Sequence, residues 1–98
     1  MQARFRPHVK HSRDYYRALI KCVVVCLQMR LSYREIAAAL QRQRLPSPVG
    51  SEWTVSAIAG LLHRLKLRTG HVWTSATELF YDGDLTRDDV KTLTRAIV

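Results

Sequence analysis

Apolar residues recur at spacings of three and four along most of the chain, a periodicity that predicts an all-α fold. Ser12 can cap a first helix, and Asp14 in its first turn suits the helix dipole. The inward positions of this helix are Tyr15, Leu19, Cys22, Val23, Cys26 and Leu27, with Val24 and Val25 widening the face, and it runs to about Arg30. The second helix carries the clearest start signal. Ser32 followed three residues later by Glu35 is the S-x-x-E capping box, in which hydroxyl and carboxylate each satisfy an orphan backbone N–H. Tyr33, Ile36, Ala37 and Leu40 then form its stripe, while Ala37, Ala38 and Ala39 keep the surface slim enough for a close neighbour. Leu45-Pro46 ends it, because a residue preceding proline avoids helical geometry.

A link of "RLPSPVGSEW" leads to a third helix capped by Thr54 or Ser56. The spacing places Val55, Ile58, Leu62 and Leu65 inward and Ser56, Ala57, Gly60, His63 and Arg64 outward. That outward face is small and polar and holds no acid. Glycine inside a helix costs about 1 kcal/mol relative to alanine. Close approach to a neighbour or to DNA would offset the cost at Gly60, and tolerated drift is the competing reading. Beyond Gly70 the pattern predicts a short helix capped by Ser75 with Glu78, a turn at the "DGD" of 82–84, and a last helix. Thr86 caps that helix, Asp88 and Asp89 occupy its first turn, and Val90, Leu93, Ala96 and Ile97 make its stripe. Val72, Trp73, Leu79, Phe80 and Tyr81 either pack back onto the first helix or form a surface for self-association. The organisation that follows is a basic arm over 1–11, a three-helix domain over 12–70, and a helical extension over 71–98 that is a candidate dimerisation segment. A length of 98 residues suits one domain.

Charge sharpens this picture. The formal net charge is +8, and it is unevenly placed: residues 1–70 hold 13 Lys/Arg against 3 Asp/Glu, whereas residues 71–98 hold 3 against 5. A basic body with a mildly acidic end is the footprint of a nucleic-acid binder with a separate contact segment. An anionic membrane surface, or a high pI without consequence, are the blander readings. The longest mainly apolar run, "ALIKCVVVCLQM", is far shorter than the roughly 20 residues of a membrane-spanning helix. The basic start lacks the apolar stretch and cleavage signal of a secretory peptide, so a cytoplasmic protein is expected.

Candidate chemistry is sparse. Cys22 and Cys26 lie four apart in an apolar pattern without paired zinc spacing, and His8 and His11 nearby complete no known ligand set. Reduced core cysteines, with no metal and no cofactor, are the expectation. No nucleophile–base signal, phosphate loop or HExxH motif is present, and His63 lacks a partner that would make it a base, so no catalytic residue is assigned and the chain is not read as an enzyme. No small-molecule ligand is implied.

Double-stranded DNA is the partner that the remaining features favour. Three-helix motifs set the last short helix in the major groove while the preceding one crosses the backbone. His63 and Arg64 are the best donors toward base edges, arginine being the usual partner of guanine. Ala57 and Gly60 let the helix approach, and Thr54 and Ser56 with the N–H groups at the helix start suit phosphate. Arg34, Arg42 and Arg44 would add backbone contacts, and Arg4 and Arg6 on the arm could enter the minor groove.

The segment "LSYREIAAALQRQRLPSPVGSEWTVSAIAGLLHRL" resembles the helix-turn-helix of the recombinase domain in large serine recombinases. That family shows a capped "IA..L" helix, a "G-I-P-T/S-P-x-G-x-x-W" loop, and a "T/S-V-x-x-I-L" helix. The matching residues here are Ser32, Ile36, Ala37, Leu40, Pro46, Pro48, Gly50, Trp53, Val55 and Ile58, over about a third of the chain. The resemblance implies that the long joint is normal for its kind, that Trp53 packs beside the third helix, and that the prolines stiffen the link. No counterpart of the family's catalytic serine domain accompanies it, and Ser56, Ala57 and Gly60 stand where the family often has arginines. The resulting expectation is a helix-turn-helix regulator of transcription, a repressor bound to a palindromic operator as a homodimer, of a compact kind common on plasmids and phages. The alternatives are an accessory module that uses its basic surface on an acidic protein, and a non-specific architectural DNA binder.

Overall fold

Four hydroxyls set four helix starts. Ser12 Oγ accepts the Tyr15 N–H at 3.1 Å, Ser32 Oγ that of Glu35 at 3.2 Å, Thr54 Oγ1 that of Ala57 at 3.0 Å, and Thr86 Oγ1 that of Asp89 at 3.1 Å. Two of these are reciprocal boxes, since the Ser32 N–H donates to Glu35 Oε1 (2.8 Å) and the Thr86 N–H to Asp89 Oδ2 (2.9 Å). Each cap contributes about 1 kcal/mol. The computed structural model describes residues 12–48 and 52–95, and its helices are α1 (Arg13–Gln28), α2 (Tyr33–Arg42), α3 (Val55–Leu67), α4 (Gly70–Tyr81) and α5 (Arg87–Arg95). The fold is all-α, with no strand among the described residues. The arm with Arg4 and Arg6, and Gly50, Ala96 and Ile97, lie outside them.

One core joins all five helices. Leu19, Ile20 and Val23 of α1, Ile36 and Leu40 of α2, Ile58, Leu61, Leu62 and Leu65 of α3, Ala76 and Leu79 of α4, and Leu93 of α5 are fully buried. α4 packs on α1 and α3, and α5 on α3 and α1, so the core continues through residue 70 without a break. Burying a leucine or isoleucine side chain contributes about 1.5–3 kcal/mol, which makes this shared interior the main source of stability.

Several sequence expectations need correction. The helix expected to start at Ser75 starts one and a half turns earlier, after Thr69, and Ser75 is a buried mid-helix residue. Thr69 makes no side-chain cap bond, and the first turn of α4 holds no acid, so the usual signals are missing there. Val55 and Val25, both expected inward, are 47% and 53% exposed. Val55 is the first residue of its helix, and Val25 falls outside the arc spanned by Leu19, Val23 and Cys26. The apolar group of 72–81 divides: Val72 and Leu79 enter the core, Trp73 and Phe80 are half-buried, and Tyr81 is 82% exposed.

The helix ends are built alike. α1 closes with Arg30 N–H to Leu27 O and Leu31 N–H to Cys26 O. α2 closes with Arg44 N–H to Gln41 O and Leu45 N–H to Leu40 O, and α3 with Arg68 N–H to Leu65 O and Thr69 N–H to Arg64 O. α4 repeats the pattern with Gly83 N–H to Phe80 O and Asp84 N–H to Leu79 O. These are Schellman motifs, which require a left-handed residue just past the helix and usually place glycine there. Gly83 fits that rule with φ +85°, but the other three positions are Arg30, Arg44 and Arg68, at φ +59°, +58° and +58°.

Candidate nucleic-acid interface

The link between α2 and α3 is pinned at three points. The Trp53 indole N–H donates to Leu45 O at 2.6 Å, the Trp53 backbone N–H donates to Gln41 Oε1 at 3.1 Å, and the Tyr15 hydroxyl donates to Pro46 O. Trp53 is 6% exposed and packs in the core, as the resemblance implied. The long joint is therefore held at both ends by named bonds, and these fix where α3 begins relative to α2.

With Ile58, Leu61, Leu62 and Leu65 buried, the outer edge of α3 is the row Ser56, Gly60, His63 and Leu67. Leu67 is 59% exposed. Ala57 is half-buried to one side, and Arg64 also leaves the edge. Its Cδ methylene runs against Gly70, its Nη1 lies near Gly60, and its charge acts on Tyr16. Tyr16 is stacked on His71 of α4, with ring centroids 5.3 Å apart. Burial raises the Tyr16 phenol above its ordinary range, and the Arg64 charge opposes that rise. Arg64 thus stands at the rim shared by α3, α1 and α4, while His63 occupies the outer edge.

Space around Gly60 bears on its role. A Cβ there would come no closer than 3.7 Å to any neighbour, the nearest atom being the mobile end of Arg64. Among the described residues no packing demands glycine at this position. The start of α3 offers N–H groups of Val55 and Ser56 that lack intrahelical partners by helix geometry, whereas the Ala57 N–H is taken by Thr54. No acid lies in the first turn of α3.

The carboxylates are drawn elsewhere. Arg13 Nε meets Glu78 Oε1 at 2.9 Å, and Arg17 reaches Asp82 at 2.8 Å, Asp84 at 3.2 Å and Glu78 at 3.9 Å. Among the described residues no ion pair involves Arg34, Arg42, Arg44, His63, Arg64 or Arg68, all of them exposed. Arg34, Arg42 and Arg44 are spread over the whole of α2 and its end, so a single small ligand cannot meet them all; a long anion can. Sequence reasoning missed Lys66, Leu67 and Arg68 at the C-terminal end of α3. Arg68 lies over Trp73, 5.8 Å from the ring centroid, a cation–π arrangement. The signal that could have found it is the arginine directly after the apolar end of α3, Leu65–Leu67.

Among the described residues no group of histidines, cysteines and acids is arranged to hold a metal ion, and no helix is long and apolar enough to cross a membrane. Comparison of the chain with protein-family models, with curated proteins and with solved structures finds no match.

Proposed function

We propose that the chain is a helix-turn-helix regulator of transcription that binds double-stranded DNA, acting in the cytoplasm as a repressor at a palindromic operator. The observation that carries the reading is the basic surface of α2 and α3: exposed Arg34, Arg42, Arg44, Arg64 and Arg68, which form no ion pair among the described residues, beside a slim helix edge without an acid. On this reading α3 enters the major groove by its Ser56–Gly60–His63–Leu67 edge. Arg34, Arg42, Arg44 and Arg68 meet phosphates on either side, and Arg64 reaches from the rim. Occupancy alone represses, and no chemical step is required. A homodimer doubles the contacts and matches operator symmetry, and the half-buried aromatic residues Trp73 and Phe80 with exposed Tyr81 on α4 form its candidate contact surface.

A second reading has an observation in its favour. Only Ser56 and His63 on the outer edge of α3 have side chains that hydrogen-bond, so the cations could bind duplex without reading its sequence. Mobility shift over a salt series on random and selected duplexes separates the two. Tighter binding to a selected site supports the regulator, equal affinity for all sequences supports an architectural binder, and no binding at low salt overturns both. Arg64→Ala is expected to lower specific affinity more than non-specific affinity; equal losses would place Arg64 on phosphate.

A further inference from the structure

A second basic surface lies away from α3. A groove of about 660 Å³ runs between the α1–α2 junction and α5, and Arg30, Lys91 and Arg95 converge on it. Asp88, Lys91, Thr92 and Arg95 follow one another at helical spacing, so they form a single stripe of α5 facing the groove. The opposite wall is Arg30 with Tyr33, the first residue of α2. A bond beside the groove ties α1 to α5: Gln28 Nε2 donates to Asp89 Oδ1 at 2.8 Å, and Asp89 is itself held in the α5 capping box.

Charge sets this groove apart. Three cations face it against the single carboxylate of Asp88, and none of the four forms an ion pair among the described residues. The Thr92 hydroxyl is committed to Asp88 O at 3.0 Å, so the donors that remain for a ligand are cationic, together with the Tyr33 hydroxyl. Arg30 holds its place at φ +59°, where glycine would close the same Schellman motif without strain, as Gly83 does at the end of α4. A strained residue that the fold does not need, aimed at a groove with two further cations, is a candidate for function.

We propose that this groove binds a phosphate group, gripped by Arg30 from one wall and by Lys91 and Arg95 from the other. The phosphate belongs to a nucleic-acid strand or to a free phosphorylated solute, and the geometry of recognition is the same for both: a compact anion between guanidinium forks and an ammonium. For a bound duplex, the site adds contacts distinct from those of α2 and α3; that case rests on the DNA reading, whereas the free-phosphate case does not.

Arg30→Gly removes the charge while relieving backbone strain, and urea unfolding of each variant separates lost binding from lost folding. The first arm measures affinity for a 20-base-pair duplex over a salt series, using Arg30→Gly/Arg95→Gln against the equal-charge control Lys21→Gln/Arg87→Gln. Each phosphate contact contributes about 0.9 to the slope of log affinity against log salt, so the groove variant, which loses the one phosphate of the site, should lower the slope by about 0.9 and the control by much less. The second arm titrates the wild-type chain with inorganic pyrophosphate and follows backbone amide shifts at Arg30, Tyr33, Lys91 and Arg95. Saturable shifts there, lost in the groove variant, support the site even when no duplex binds, and would then assign it to a free solute. A slope change specific to the groove variant assigns it to nucleic acid. Equal slope changes in both variants, with no saturable shift from pyrophosphate, overturn the proposal whatever happens at α3.

Discussion

Glycine and alanine at position 44 should differ in stability in the order opposite to their order in a helix. Arg44 sits at φ +58°, with its own N–H bonded to Gln41 O and the next N–H, of Leu45, bonded to Leu40 O, both at 3.0 Å. A left-handed conformation costs a residue with a Cβ about 1–2 kcal/mol. The larger unfolded-state freedom of glycine takes back about 0.4–1 kcal/mol of that. Arg44→Gly should therefore be more stable than Arg44→Ala by about 1 kcal/mol, whereas glycine in a right-handed helix is worse than alanine by about the same amount. Both variants lose the favourable interaction of the charge with the end of α2, about 0.3–1 kcal/mol, so it cancels from the comparison. Urea unfolding of the pair measures the difference, and thermal melts should show it as about 4–8 °C for a domain of this size. An alanine variant as stable as the glycine one would refute the left-handed geometry, and with it the anchoring of Leu45 that positions the start of the link. The same pair of substitutions at Arg30 and Arg68 repeats the test. If the arginines are kept for their charge, DNA affinity falls equally in the glycine and alanine variants while stability moves in opposite directions.

Four further outcomes follow from single residues. Gly60→Ala should stabilise the chain by about 1 kcal/mol in urea unfolding, because the added methyl meets nothing within 3.7 Å and helix propensity improves; if the α3 edge lies in a groove, DNA affinity falls at the same time, and unchanged affinity would move the interface off Gly60. Trp53→Phe keeps the buried ring but orphans Leu45 O, a loss of about 1–2 kcal/mol by the same assay, and a loss below about 0.5 kcal/mol would show that the indole bond does not hold the link. Burial, followed by the neighbouring Cys22 thiol, pushes the Cys26 thiol up to about 11 from its ordinary 9.0. The unfolded thiol loses its proton first between those values, so stability should decline as pH rises from about 9 to 11. Iodoacetamide at pH 8 should label half-exposed Cys22 and spare Cys26 until the chain unfolds, and equal labelling of both would contradict the burial.

What could be read from the chain beforehand was the part written in local chemistry. Ser32 with Glu35, Thr54, and Thr86 with Asp89 announce helix starts by side chains that bond the nearest backbone, and the structure finds all three. The start of α4 was misplaced because it uses none of that chemistry: Thr69 makes no cap bond, and Gly70 reads as the end of one helix rather than the opening of the next. Helix ends were also hidden. A Schellman motif is recognisable by its glycine, and three of the four here carry arginine instead, so the left-handed turn at 30, 44 and 68 is imposed by the burial of the core on either side rather than by the turn residue. The candidate interface was legible in part. Net charge and the acid-free face of the third helix were visible, but the position of Arg64 beside Tyr16 and Gly70 depends on the packing of α1 and α4, which spacing within α3 cannot report.

The basic face is a product of folding as much as of composition. Of the eight acids in the chain, seven serve helix starts or the seam between α1 and the end of α4. Asp14, Glu35, Asp88 and Asp89 sit in first turns, where they favour the dipole and two of them complete capping boxes. Glu78, Asp82 and Asp84 gather around Arg13 and Arg17. Only Glu52, just before α3, is outside these roles. Twelve arginines in an evenly mixed sequence would have been partly neutralised wherever they stood. Here the acids are confined by local structural duties, and among the described residues Arg34, Arg42, Arg44, Arg64 and Arg68, with Arg30, Lys91 and Arg95 of the α5 groove, form no ion pair with a carboxylate. Separated charge of this kind is costly for a compact state through self-repulsion, and it is relieved when a polyanion supplies the missing counter-charge.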